Sequence, residues 1–159
     1  MEKLKLYLDT SVISHLFAED TPEKMADTNR LWQDFIDGKY EIFVSTTTLE
    51  ELGRCPEPKR GQMITKLDEI KINILEESGK TGELLEEYLK NHVLSPKNID
   101  DCSHIAFAVV YNCDIIVSWN FKHLVNYKTV NKVKIVNAMK SYKEISIISP
   151  TMLIEEEEE

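Results

Sequence analysis

The chain has 159 residues, of which 42% are hydrophobic and 30% charged, a balance typical of a globular protein with a sizeable core. Its net charge is −9, and five of those charges belong to the terminal run Glu155 to Glu159, so the rest carries about −4 and has no general attraction to nucleic acid. No apolar run approaches the ~18 residues of a membrane span. The first residues enter a predicted strand without a signal-peptide core, which indicates a cytoplasmic protein.

The three cysteines form no CxxC pair and no Cys/His cluster with zinc spacing. Cys102 and Cys113 are predicted to share one helix, where they would lie roughly 16 Å apart and would be unable to bridge. We therefore interpret these two and Cys55 as reduced thiols, mostly in the core.

Predicted strands and helices alternate along the whole chain. The strands are predicted at residues 4–9, 40–44, 70–75, 114–118 and 132–136, with an edge strand at 145–148. The first helices are predicted at residues 10–17 and 23–37, then from 45 through the acidic pair Glu50-Glu51 to Leu52, and, after a break at residues 55–58, in a further helix to about 69. Later helices are predicted at 79–93, from Asp100 or Asp101 through 110, from 121 and at 137–142.

This alternation indicates βαβ units. We therefore predict an α/β protein, a three-layer α/β/α sandwich with a mostly parallel central sheet. One domain is expected over residues 1–150, followed by an acidic C-terminal tail at residues 151–159.

Four oxygen-bearing side chains are predicted at the same edge of this sheet. Asp9 ends the first strand, Asn120 follows the fourth, Asp101 opens the helix before the fourth, and Glu51 lies in the helix after the second. Because the carboxyl ends of parallel strands share one edge, these residues can surround one crevice. Each also has a simpler reading: Asp9 and Asp101 as helix caps, Glu51 as a surface acid, and Asn120 as a turn residue.

Carboxylates crowd together only with a cation, since like charges raise one another's pKa. Ligands that are all oxygen favour Mg²⁺ or Mn²⁺. Without a nucleophilic Cys/His or Ser/His pair, such a cluster suits a metal-activated water that attacks a phosphodiester.

Four segments of the chain carry a family resemblance: residues 6–12 (LYLDTSV), 45–52 (STTTLEEL), 101–108 (DCSHIAFA) and 113–124 (CDIIVSWNFKHL). With this order and spacing, the chain resembles a PIN domain, the metal-dependent nuclease fold of VapC-type toxins. The resemblance implies an endoribonuclease that hydrolyses RNA with Mg²⁺ or Mn²⁺. It also implies the toxin of a type II toxin–antitoxin pair, with an antitoxin protein as partner, and a homodimer.

The resemblance assigns the site residues. It implies that Asp9 and Asp101 bind the metal, that Glu51 positions or deprotonates water, and that Asn120 completes the shell. An aspartate is usual at the fourth position, and Asn120 keeps a carbonyl oxygen there but lowers the local negative charge by one.

Residues beside these four have two readings each. Thr10 either orients a carboxylate or caps a helix, and His104 either braces a carboxylate or is structural. Lys122 and His123 are candidates for phosphate contact. Trp119 either stacks on a base or belongs to the core.

Two alternatives remain from the sequence. The first is a catalytically impaired PIN fold that binds RNA or a protein, favoured by Asn120 and the negative net charge. The second is a phosphohydrolase or phosphoacceptor domain with Asp9 as nucleophile. Such phosphohydrolases usually have a second acid two residues after the first, where this chain has Ser11. Phosphoacceptor domains have a lysine at the end of a late strand, and no such lysine stands out in this chain.

Overall fold

A computed structural model describes residues 2–154, which are built around a sheet of five parallel strands. The strands are β1 (Lys5–Leu8), β2 (Glu41–Ser45), β3 (Ile72–Leu75), β4 (Ile115–Val117) and β5 (Ser146–Ile148). They lie in the order β3-β2-β1-β4-β5. The strand order reverses between β1 and β4, and open α/β sheets bind ligands at the carboxyl end of such a switch point.

Helices cover both faces of the sheet. They are α1 (Thr10–His15), α2 (Pro22–Ile36), α3 (Thr46–Arg54), α4 (Lys59–Leu67), α5 (Gly79–Lys90), α6 (Ile99–Val110) and α7 (Tyr127–Met139), with short 3-10 helices at Pro96–Asn98 and Pro150–Met152. The three-layer α/β/α fold with a parallel sheet is confirmed. Within the described residues, no helix has the length and apolar character to cross a membrane.

Side chains of the central strand alternate between two hydrophobic clusters, one on each face of the sheet. Leu6 and Leu8 pack with Trp32 of α2, whereas Tyr7 packs on the other face with Phe107 of α6. All three β1 side chains are fully buried. A strand that is buried on both faces is apolar throughout, which explains the run Leu6-Tyr7-Leu8 before Asp9.

The strand predicted at residues 132–136 is wrong, because that segment belongs to α7. Its alternation of lysine with valine and isoleucine imitates a strand. Val133 and Val136, however, lie three residues apart and are both buried, as on one face of a helix. The cap of this helix is Asn126, whose side chain accepts the backbone N–H of Thr129 at 2.9 Å.

Other boundaries after β4 also differ from the prediction. Residues 121–124 form a turn rather than the start of a helix, and residues 137–139 finish α7. The edge strand predicted at 145–148 is confirmed as β5.

Cys102 and Cys113 do not share a helix, because α6 ends at Val110. Both thiols are buried and free, and Cys55 is also free. Burial raises the pKa of Cys102 to about 11 and that of Cys113 to about 12, so both stay protonated and unreactive at neutral pH.

Residues that pack against the hydrophobic core continue past position 150, which is the predicted end of the domain. Leu153 and Ile154 contact the hydrophobic cluster that contains α1 and α2, directly after the 3-10 helix Pro150–Met152. The predicted acidic run Glu155–Glu159 lies outside the described residues.

A buried hydrogen bond joins α5 to α7, where the Tyr88 hydroxyl donates to Asn137 Oδ1 at 2.6 Å. Among the described residues, Asn137 Nδ2 has no partner, so this bond satisfies only the amide oxygen, Oδ1. We expect Tyr88→Phe to lower the free energy of unfolding by about 1–3 kcal/mol in urea titrations, because a buried acceptor loses its donor. The control is Tyr111→Phe, which removes an exposed bond to the Glu76 carbonyl and should change stability by no more than about 0.5 kcal/mol. Equal losses in the two variants would contradict this.

Candidate active site

Asp9 lies directly after β1, where the chain turns into α1. One carboxylate oxygen accepts the backbone N–H of Ser11 at 3.1 Å and also the Ser11 hydroxyl, which makes Asp9 the N-cap of α1. The other oxygen accepts the hydroxyl of Ser118, which follows β4, at 2.6 Å. Only 3% of Asp9 is exposed. Asp9 therefore caps a helix and also joins the two strands of the switch point.

Burial raises the pKa of Asp9 above its ordinary value, because the carboxylate loses hydration. The charge of His104 and the hydroxyl groups of Ser11 and Ser118 lower the pKa, while the charge of Asp101 raises it further. The net shift is upwards. The ionised carboxylate is therefore unfavourable in the protein alone, and a bound cation would favour it.

Glu51 projects from α3 into a hydrogen-bonded group with Thr10 and His104. Its Oε1 accepts the Thr10 hydroxyl at 2.9 Å and the Nε2–H of His104. Burial raises the pKa of Glu51, but the hydrogen bond and charge of His104, the Thr10 hydroxyl and the charge of Arg54 outweigh burial, so the pKa lies below its ordinary value. Glu51 is therefore ionised at neutral pH.

His104 is 1% exposed and bonds at both ring nitrogens. Nε2 must carry a proton, because the Glu51 carboxylate only accepts. Nδ1 lies 2.6 Å from the Tyr7 hydroxyl, which in turn lies 2.7 Å from the Ser45 hydroxyl. Burial lowers the pKa of His104, but the Glu51 bond and the charges of nearby acids raise it above its ordinary value. His104 thus braces Glu51, one of the two roles that the sequence left open.

Asp101 lies in the first turn of α6 and is not its cap. That position belongs to Asn98, whose side chain makes no capping bond. The Asp101 carboxylate instead lies 3.0 Å from Nδ1 of His123. Burial raises its pKa, the charges of His104 and His123 oppose this, and the charge of Glu51 adds to it; the net shift is upwards.

Asn120 shapes the loop after β4. Its Oδ1 accepts the backbone N–H of His123 at 2.9 Å, and its own backbone N–H donates to the Ser118 hydroxyl at 2.9 Å. The turn role predicted as the simpler alternative is therefore present. The second lone pair of the carbonyl oxygen stays available to a cation or a water. Lys122 is exposed beside it.

Asp9 follows β1, Glu51 lies in α3, Asp101 lies in α6, and Asn120 follows β4. The family model of the PIN domain matches residues 6–122, which include each of these parts and most of the chain. The chain belongs to the PIN domain family. The resemblance seen in the sequence is confirmed.

Two solved structures show the same PIN fold at low sequence identity. VapBC2 from Rickettsia felis, bound to a DNA fragment from its promoter, matches with a TM-score of 0.53 and 17% identity, covering 92% of this chain and 98% of that one. The sarcin-ricin loop cleaving toxin VapC20 of Mycobacterium tuberculosis matches with a TM-score of 0.56 and 13% identity, covering 88% and 98%. No curated protein matches the chain.

The donors of this PIN domain suit a hydrated ion rather than one enclosed by protein. Among residues 2–154, no group of three or more His, Cys, Asp or Glu side chains is arranged to hold a metal. Mg²⁺, however, usually keeps several waters and takes only one or two carboxylates. Asp9 and Asp101 are two carboxylates that interact through their charges and whose pKa values burial raises. Their chemistry fits such an ion.

The sequence did not identify Tyr7, Ser45 or Ser118 as part of this network. Ser118 had a signal: like Asp9, it is the polar residue that ends an apolar strand. The register pairs Leu8 with Val117, so the residues that follow them are neighbours. That pairing depends on β4 returning beside β1, which spacing along one chain does not specify.

Proposed function

We propose that this PIN domain is a metal-dependent endoribonuclease that hydrolyses RNA phosphodiester bonds with Mg²⁺ or Mn²⁺. The observation that carries the proposal is that Asp9 and Asp101 lie in one hydrogen-bonded network at the switch point, joined through Ser118, Asn120 and His123. Glu51 is bonded to His104, which lies on the same helix as Asp101. Two of these carboxylates are disfavoured as anions in the protein alone. A divalent cation is the simplest partner for them.

Asp9 and Asp101 would hold the ion, with Asn120 supplying a neutral oxygen. When bound, the ion would activate water and stabilise charge on the phosphate. Both hydrogen bonds to Glu51 reach Oε1, and among the described residues Oε2 accepts none. The ionised Glu51 can therefore accept a proton from water at Oε2, while Thr10 and His104 keep its carboxylate oriented.

The test is incubation of the purified protein with labelled single-stranded and structured RNA, with Mn²⁺, with Mg²⁺ and with EDTA. We expect cleavage with at least one metal and none in EDTA. RNA that stays intact with both metals would contradict the proposal.

The alternative is a catalytically impaired PIN fold that binds RNA or a protein. It is favoured by Asn120, whose Oδ1 already accepts a backbone N–H and carries no charge. RNA binding without cleavage under either metal would support it. If Asn120→Asp then restored cleavage, the missing charge would be the cause.

The toxin role, an antitoxin partner, a homodimer and a cytoplasmic location remain part of the proposal. The VapBC2 and VapC20 neighbours support the toxin role by fold alone. We expect growth arrest when the chain is expressed, with relief on co-expression of the gene next to it. Unchanged growth at a verified level of soluble protein would contradict the toxin role.

A further inference from the structure

Phe121 exposes an aromatic ring directly beside the candidate active site. It follows Asn120 in the turn after β4 and is 46% exposed. Its ring packs edge-on against Trp119, with centroids 6.1 Å apart. Single exposed apolar side chains are common on protein surfaces, so the position of this ring beside a polar crevice, and not its exposure alone, is what singles it out.

Trp119 makes a rigid support for this ring. It is 6% exposed, its indole N–H donates to Thr28 Oγ1 at 2.8 Å, and its backbone N–H donates to the Ser11 hydroxyl at 2.9 Å. Ser11 also bonds to Asp9, so the support is tied to the acid cluster. Trp119 thus has the core role that the sequence left open, and Phe121 is the ring that a ligand can reach.

Two lysines accompany the aromatic pair. Lys24 Nζ lies 5.2 Å from the centre of the Phe121 ring and 5.6 Å from that of Trp119. Lys122 is the next residue in the turn and is exposed. Within residues 2–154, neither lysine has a carboxylate within 4 Å. Unpaired cations collected on an otherwise negative protein favour a polyanion as ligand.

We propose that Phe121 and Lys24 bind one nucleotide of single-stranded RNA, with the base on the exposed part of the ring and the phosphate at the ammonium group. This inference rests on the proposed ribonuclease function and assigns a nucleotide-binding site to it. Bases in a duplex are already stacked on one another, so only an unpaired base can cover the ring. Because Phe121 adjoins Asn120, a nucleotide bound there leads the strand into the acid cluster.

Binding is measured in EDTA, by fluorescence anisotropy of a labelled single-stranded RNA and of a matched duplex. We expect Phe121→Leu, which keeps an apolar side chain but removes the ring, to weaken single-strand binding about tenfold or more. Phe121→Trp should retain the affinity. Lys24→Gln should also reduce the slope of log affinity against log salt by about 0.7, the value for one phosphate contact to a single strand. The matched control is Lys71→Gln, the same charge change next to the start of β3, at the opposite edge of the sheet.

Wild-type affinity for RNA in Phe121→Leu, or equal salt slopes in the two lysine variants, would overturn the inference. If RNA is still cleaved with Mn²⁺ in that case, the proposed function stands and only the nucleotide site fails. A wild-type protein that neither binds single strands in EDTA nor cleaves them with metal would overturn both.

Discussion

Replacing Asp9 with asparagine is expected to abolish metal-dependent cleavage of RNA while making the protein more stable at neutral pH. Activity is lost because one of the two proposed anionic ligands becomes neutral, and the ion's contribution of several kcal/mol corresponds to about a thousandfold or more in rate. The gain in stability has a separate cause. Asp9 is 3% exposed, and burial raises its pKa.

The sign of the stability change follows from that shift. The folded protein binds a proton at Asp9 more tightly than the unfolded chain does. The free energy of unfolding therefore falls as the pH rises from the unfolded pKa, about 3.9, through the raised folded value, and it stays lower at neutral pH. Asp9→Asn lacks this titration. In EDTA it should melt at a higher temperature than wild type at pH 7, and the difference should narrow as the pH is lowered towards about 4.

Adding Mn²⁺ provides the control for this experiment. We expect the ion to raise the melting temperature of wild type and to leave that of Asp9→Asn unchanged. An ion that binds the folded protein and not the unfolded chain stabilises the folded protein, and the variant lacks the ligand that binds it. An asparagine variant that is less stable than wild type in EDTA would show that Asp9 acts mainly as a helix cap. An equal response of both proteins to Mn²⁺ would remove Asp9 from the metal site.

The second large effect is expected at His104, which joins Glu51 to Tyr7 in the buried part of the site. His104→Asn is too short to reach Glu51. We expect it to lower the free energy of unfolding by about 3 kcal/mol, because one partner of a buried charged pair is removed. This is the lower end of the range for such pairs, since Glu51 is partly exposed. Cleavage should fall by about 10- to 100-fold, because Glu51 loses its orienting bond.

His104→Gln is the matched variant, since its side-chain amide can place a donor near the position of Nε2. It should keep more of both stability and activity than His104→Asn. Equal losses in the two variants would mean that His104 fills space and does not position Glu51. Circular dichroism and urea titrations supply the stability values, and single-turnover cleavage supplies the rate.

The stability that the His104–Glu51 pair contributes depends on pH and has a lower and an upper limit. The pKa of His104 is raised in the folded state, so its contribution is complete below about 6.5 and is lost as the pH rises through the folded value. The pKa of Glu51 is lowered, so its contribution is present above about 4.3 and is lost as the pH falls through the folded value. The gap between wild type and His104→Asn should therefore be widest between these limits.

Part of the site could be predicted because it depends on where strands end. Asp9 follows an apolar run that is buried on both faces, and parallel strands share their carboxyl edge, so its neighbourhood follows from the alternation of elements. The positions of Asp101 in the first turn of α6 and of Glu51 further along α3 follow in the same way, since both helices begin near that edge. The roles of these residues in catalysis remain predictions.

Other parts depend on which elements become neighbours. The Tyr7–His104 bond joins residues 97 positions apart, and the Ser118–Asp9 bond joins residues 109 positions apart. Neither hydrogen bond is indicated by the sequence around its two residues. The strand predicted at 132–136 failed for the opposite reason: its local alternation was misleading, and packing of Val133 and Val136 under a helix decided the structure.

The most direct test of the central account compares RNA cleavage by wild type and by Asp101→Asn, purified in parallel and assayed in the same Mn²⁺ buffer. Asp101 is chosen because it neither caps its helix nor lies in a strand, so we expect asparagine at this position to leave the fold intact. We predict that wild type cleaves a labelled single-stranded RNA and that Asp101→Asn, folded to the same extent by circular dichroism, leaves it uncut. Equal cleavage by the two proteins would contradict the account, since the activity would then not depend on the acids at the switch point.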